Sequence, residues 1–270
     1  MTPDIAIAAA ERTEAAQRLI DRAQHDEVVH LEVLSALELC VLGGPKHPLF
    51  EEDIAYAWLQ MGNRRRRKII QLITEGMIER GLLTEDHPGT SPRQGAPTYS
   101  LTPALGIALA ARCRPAFIVI TDAALSSIRT GRMFALGDQD EPVRAIVVED
   151  PAALPAEYAS NPQVKKFGPL SQIYNYVLAS PGKAAEGLAE WAIAPPPQRP
   201  GVDENSACMV SRYHPQDGHI SVGIRLIIRS DGTTARVDRP RIRGGHGAAA
   251  EYDLAGLRAV MLDLLTMRPR

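Results

Sequence analysis

The sequence predicts an α+β fold in two parts: a mainly helical N-terminal module closed by a short hairpin, then a separate α+β domain with a small antiparallel sheet. Three observations predict it. Apolar residues recur at helical spacing through residues 27–80. Two short β-prone runs, 82–85 and 99–101, flank a loop rich in Pro, Gly and Ser. Three longer β-prone runs within 207–237 are separated by Asp217-Gly218 and Asp231-Gly232, dipeptides suited to hairpin turns.

Element by element, residues 4–24 read as a weakly amphipathic helix, within an N-terminal arm placed at 1–25. The next module spans 26–114. Its first helix is expected over 27–42, with Val28, Leu31, Leu34, Ala36 and Leu39 as the apolar face, and Gly43-Gly44-Pro45 stops it. A second helix covers 51–60, opened by Glu51, Glu52 and Asp53, which suit an N-terminal dipole. Tyr56 and Trp58 are expected to pack between helices. After the turn Met61-Gly62-Asn63, a third helix runs to about Arg80, with Ile69, Leu72, Ile73, Gly76 and Met77 as its packing stripe. Gly81 ends it; the hairpin and a helix over 103–112 follow. The linker falls near 112–115 and the last domain spans 115–270. There, 116–120 and 143–148 read as strands, 170–179 and 183–192 as helices, 207–213, 219–229 and 233–237 as a meander, and 248–267 as the closing helix.

Composition narrows the function. The 270 residues carry a formal net charge of −2, which excludes a uniformly basic nucleic-acid coat and an acidic tail protein. The total conceals a local excess. Residues 1–60 hold four basic and eleven acidic residues (−7), residues 61–114 nine and four (+5), and residues 115–270 are balanced. No apolar stretch suits a membrane span and the N-terminus does not read as a secretory signal. Cys40, Cys113 and Cys208 are odd in number and far apart, which points to a reducing cytoplasm.

The positive excess centres on five consecutive basic residues, Arg64, Arg65, Arg66, Arg67 and Lys68, at the start of the third helix. Like charges there oppose the helix dipole at about 0.3–1 kcal/mol each, a cost that a purely structural segment has no reason to carry. Arg64, Arg67, Lys68, Gln71 and Thr74 lie opposite the packing stripe. Arg can bind guanine and Gln adenine bidentately in the major groove, while other basic residues hold phosphates. Arg93 in the hairpin loop suits a minor-groove contact.

Several segments together resemble the winged helix-turn-helix DNA-binding superfamily over about residues 27–110: Asp53-Ile54-Ala55, Gly62, Glu79-Arg80-Gly81-Leu82-Leu83 and Tyr99-Ser100-Leu101-Thr102-Pro103. Bacterial members commonly carry such an "ERGLL" run, a hairpin, then "Y-x-L-T". The resemblance implies a cytoplasmic, sequence-specific transcription regulator, expected to be a repressor. It would bind double-stranded DNA as a homodimer on paired half-sites. Its C-terminal domain would serve dimerisation, or a small-molecule or protein effector. Two alternatives stand beside it: a plasmid or phage replication or partition protein, and a protein-interaction adaptor that keeps the fold alone.

The replication reading needs a second basic surface. Arg225, Arg229, Arg236, Arg239, Arg241 and Arg243 supply one, against Asp231 and Asp238, although charge that protects a strand edge explains them equally well. Cys208, His214, His219 and His246 are metal-ligand types without paired spacing, so no metal site is expected. Gly244-Gly245-His246-Gly247 lacks the Lys-Ser/Thr of a phosphate loop and reads as a flexible loop. With no nucleophile elbow or paired carboxylates, neither an enzyme nor a cofactor is expected.

Overall fold

The computed structural model describes residues 13–43, 52–85, 99–123, 131–137, 142–152, 167–194, 207–216, 219–239 and 249–267. Among them are seven α-helices: α1 (Glu14–Gln24), α2 (Ala36–Gly43), α3 (Glu52–Leu59), α4 (Asn63–Glu79), α5 (Pro103–Cys113), α6 (Pro181–Ile193) and α7 (Leu254–Thr266). The strands are β1 (Val29–Ser35), β2 (Leu83–Glu85), β3 (Tyr99–Leu101), β4 (Ile118–Ala123), β5 (Gly131–Leu136), β6 (Ala145–Ala152), β7 (Ile173–Ala179), β8 (Cys208–Gln216), β9 (His219–Ser230), β10 (Ala235–Asp238) and β11 (Ala249–Tyr252). Nine of them form one sheet in the order β1-β7-β6-β5-β4-β8-β9-β10-β11, and β2 pairs with β3. The mixed α/β class agrees with expectation; the sheet is far larger than the small one expected.

Three differences account for most of the added strands. The helix expected over 27–42 begins only at Ala36, because 29–35 is a strand whose buried residues start by alternating, at Val29 and Leu31. The boundary is a capping box: Ser35 Oγ accepts from Glu38 N at 3.2 Å, and Glu38 Oε2 accepts from Ser35 N at 2.7 Å. The helix expected over 170–179 is a 3-10 turn, Gly168–Ser171, followed by β7. Tyr174, Tyr176 and Leu178 recur at every second residue and are buried, the period of a strand. The closing helix starts at Leu254 rather than 248, since β11 precedes it and Asp253 caps it, accepting from Gly256 N at 2.8 Å. β5 has no counterpart among the expected strands. The Asp217-Gly218 turn lies outside the described residues. The second turn is present: Asp231 Oδ1 accepts from Thr233 N and Thr234 N at 2.8 and 2.7 Å, with Gly232 at φ +93°.

The chain divides into two compact units. One comprises Met1–Leu19, His30–Arg114 and Pro151–Tyr176; the other comprises Ile20–Val29, Pro115–Asp150 and Val177–Arg270. The second unit has a conventional layered core. Val119, Ala135, Ile146, Val210, Leu226, Ile228 and Val237 on its strands meet Ala185, Leu188 and Ala189 of α6 and Leu257, Met261, Leu264 and Leu265 of α7. Two arginines are buried in it. Arg132 pairs with Glu149 at 2.7 Å across β5 and β6. Arg212 lies 3.7 Å over the Phe117 ring and donates to the Leu264 carbonyl at 2.6 Å, near the end of α7.

Candidate nucleic-acid interface

The candidate site belongs to the first unit and runs from α2 to α5. α3 buries Ile54 and Trp58 and leaves Tyr56 66% exposed, so Tyr56 does not pack between helices as expected. A tight turn follows, in which Gln60 N donates to Tyr56 O and Met61 N to Trp58 O. α4 then starts behind Gly62, which offers no side-chain cap, and its first turn carries no acidic residue.

At 100° per residue the basic run of α4 cannot face one way, and it divides. Arg64, Arg65, Arg67 and Lys68 are exposed. Arg66 is only partly exposed, on the same face as the buried Ile69 and Met77. Its Nη2 donates to the carbonyls of Trp58, Leu59 and Met61 at 3.0, 2.9 and 2.9 Å, and its guanidinium stands 5.6 Å from the Trp58 ring centroid. Arg66 therefore closes the C-terminal end of α3, whose last carbonyls lack helical partners. That work holds α3 against α4.

The packing stripe of α4 also differs from expectation at one position. Ile69 and Met77 are buried, Ile73 and Gly76 half-buried, but Leu72 is 65% exposed. The free face thus runs from Arg64, Arg65, Arg67 and Lys68 through Gln71 and Leu72 to Glu75 and Glu79. It is basic in its first turns and acidic in its last. Gln71 Nε2 donates to Glu75 Oε1 at 2.9 Å across one exposed turn.

The other end of α4 is anchored twice. Gly81, at φ +71°, allows a Schellman closure in which Leu82 N donates to Met77 O and Gly81 N to Ile78 O, each at 2.9 Å. Arg80 forms an ion pair with Glu38 and donates from Nη2 to Val33 O at 2.9 Å. Glu38 thus caps α2 with one oxygen and holds Arg80 with the other. Sequence reasoning misses this role; the signal for it is Ser35-x-x-Glu38. Nearby, burial raises the Glu32 carboxyl above its ordinary value, with the Arg80 charge opposing and the Glu38 charge adding.

The hairpin after α4 pairs Leu83 with Leu101, Thr84 with Ser100 and Glu85 with Tyr99. Thr102 caps α5, accepting from Leu105 N at 3.3 Å, with Pro103 in the first turn. α5 is buried along Leu105–Arg112, and Arg112 donates to the Tyr176 hydroxyl at 3.3 Å. Arg112, expected near a linker, is thus a core residue. Arg93 lies outside the described residues.

The other candidate surface is partly described. Arg225, Arg229, Arg236 and Arg239 are exposed, while Arg241, Arg243 and Gly244–Gly247 fall outside the described residues. Arg229 and Arg236 are cross-strand neighbours that share Asp238, at 2.5 and 3.4 Å. Half of the described cations there thus have a local counter-charge. Among the described residues no helix is long and apolar enough to cross a membrane, and no three His, Cys, Asp or Glu cluster to hold a metal. No known protein-family model matches the chain, and no curated protein matches it.

Proposed function

We propose that this protein is a sequence-specific DNA-binding transcription regulator, a repressor, that acts through a winged helix-turn-helix formed by α2–α4, the β2–β3 hairpin and α5. One observation carries the reading. The solvent face of α4 presents Arg64, Arg65, Arg67, Lys68 and Gln71 behind a start that has neither an acidic residue nor a side-chain cap. A helix N-terminus of this kind favours anions. On this reading α4 enters the major groove by its N-terminal half, where its bases are, and its acidic C-terminal half stays clear of phosphate. Arg64, Arg65, Arg67 and Lys68 divide between phosphates and guanine edges, Gln71 addresses a base, and Arg93 reaches the minor groove. Arg66 is left out, since it serves the protein's own carbonyls. The protein works as a homodimer on paired half-sites, and the C-terminal part takes an effector.

The test is selection of genomic duplex fragments with the purified protein at two salt concentrations. A defined palindrome is expected. Removing Arg64, Arg65, Arg67 and Lys68 together should abolish specific binding and flatten the salt slope by about 0.9 for each phosphate no longer neutralised. Unchanged affinity of that variant for the selected fragments would refute the reading.

A further inference from the structure

We infer that Leu72 is a specificity-determining residue that reads a thymine through its 5-methyl group. The inference rests on the reading of α4 as the DNA-recognition helix and deepens it. Leu72 sits on the free face of α4, four residues after Lys68 and seven after Arg65, so the three share one stripe. It is 65% exposed, whereas Ile69 and Met77 of the same helix are 7% and 1% exposed. An apolar side chain this open, between basic residues on one side and Glu75 on the other, gains nothing from water. In the major groove, thymine alone presents a methyl group, and apolar side chains recognise it by contact. The four exposed basic residues of the preceding turns favour a polyanion over an apolar protein partner as the occupant of this face. The adjacent Gln71 keeps its Oε1 and one N–H for a neighbouring base, since Nε2 spends only one donor on Glu75. A half-site holding a thymine beside a base read by Gln71 follows.

The experiment replaces each thymine of a selected operator by uracil, which removes the methyl group and nothing else. Affinity is measured for the wild-type protein and for Leu72→Ala. At one position per half-site the wild type should lose about fourfold, the worth of one buried methyl group. Leu72→Ala should be insensitive to uracil there, so the two changes should not add. Leu72→Met should retain most of the sensitivity. Equal uracil penalties for wild type and Leu72→Ala, with selective binding intact, would overturn this inference and leave the DNA reading standing. Selective binding of no duplex by the wild type would overturn both. If Leu72→Ala leaves the DNA profile untouched but dissociates a self-associated form, Leu72 covers another copy of the chain and the inference fails.

Discussion

Replacing Arg66 by Ala removes the donor shared by three carbonyls at the end of α3. The expected result is a stability loss of about 1–2 kcal/mol, read as a lower denaturant midpoint. Arg66→Lys should not fully restore it, because an ammonium cannot both stand near the Trp58 ring, as the guanidinium does 5.6 Å from its centroid, and place a donor where Nη2 meets the three carbonyls. Arg67→Ala, one residue on and exposed, should leave the midpoint unchanged and weaken DNA binding instead. Equal stability losses for the two would refute this division of labour. Titration offers a second check. Burial first, and then the Arg212 charge, hold His214 below its ordinary value of 6.5. The folded state therefore binds fewer protons than the unfolded chain, so this contribution to stability is complete above about pH 6.5 and is lost as pH falls. His214→Gln should flatten that part of the pH profile; an unaltered profile would refute it. Burial pushes the thiols of Cys40 and Cys208 up to about 12 and 11. Both should resist alkylation at pH 8 until the chain unfolds, which mass spectrometry of labelled protein would show.

The helices keep their ends by different means, and each can be broken separately. Gly81→Ala forces a left-handed backbone on a residue with a Cβ. Nothing stands within 4 Å of that carbon, so the cost is conformational, about 1–2 kcal/mol. Ser35→Ala removes the cap of α2 at about 0.5–2 kcal/mol. Thermal denaturation measures both, and an unchanged midpoint in either would contradict the cap assigned to it. α3, α4, α5 and the hairpin were legible because their signals are local: Gly62 and Gly81 at the ends of α4, Thr102-Pro103 at the start of α5. β1 and β7 were not. Val28, Leu31 and Leu34 fit a helical stripe as well as Val29 and Leu31 fit a strand, and only pairing with distant chain decides between them. The same limit applied to the candidate interface. The basic run was plain, but the division of Arg66 from Arg67 depends on where α3 ends in space. That division was nevertheless implicit in the spacing, since Arg66 precedes Ile69, Ile73 and Met77 by three, seven and eleven residues.

At the scale of the molecule, the first unit is discontinuous in sequence. Ala36 N donates to Gln172 O at 2.7 Å, and the buried Arg112 reaches Tyr176, so residues after 150 complete the module that carries α4. A fragment of residues 26–114 should therefore melt well below the full chain, or fail to melt cooperatively, in thermal circular dichroism. A fragment as stable as the whole would show that the module closes on its own. The near-neutral net charge also takes on a location: four of the nine basic residues in 61–114 stand exposed on the first turns of α4, ahead of Glu75 and Glu79 on its later turns. Glu38 has a consequence of another kind. One carboxylate finishes the start of α2 and grips the end of α4, so the two helices form a single lever with a common pivot. Turning the end of α4 away from α2 would break the Arg80 pair with the same buried carboxylate that closes the first turn of its neighbour.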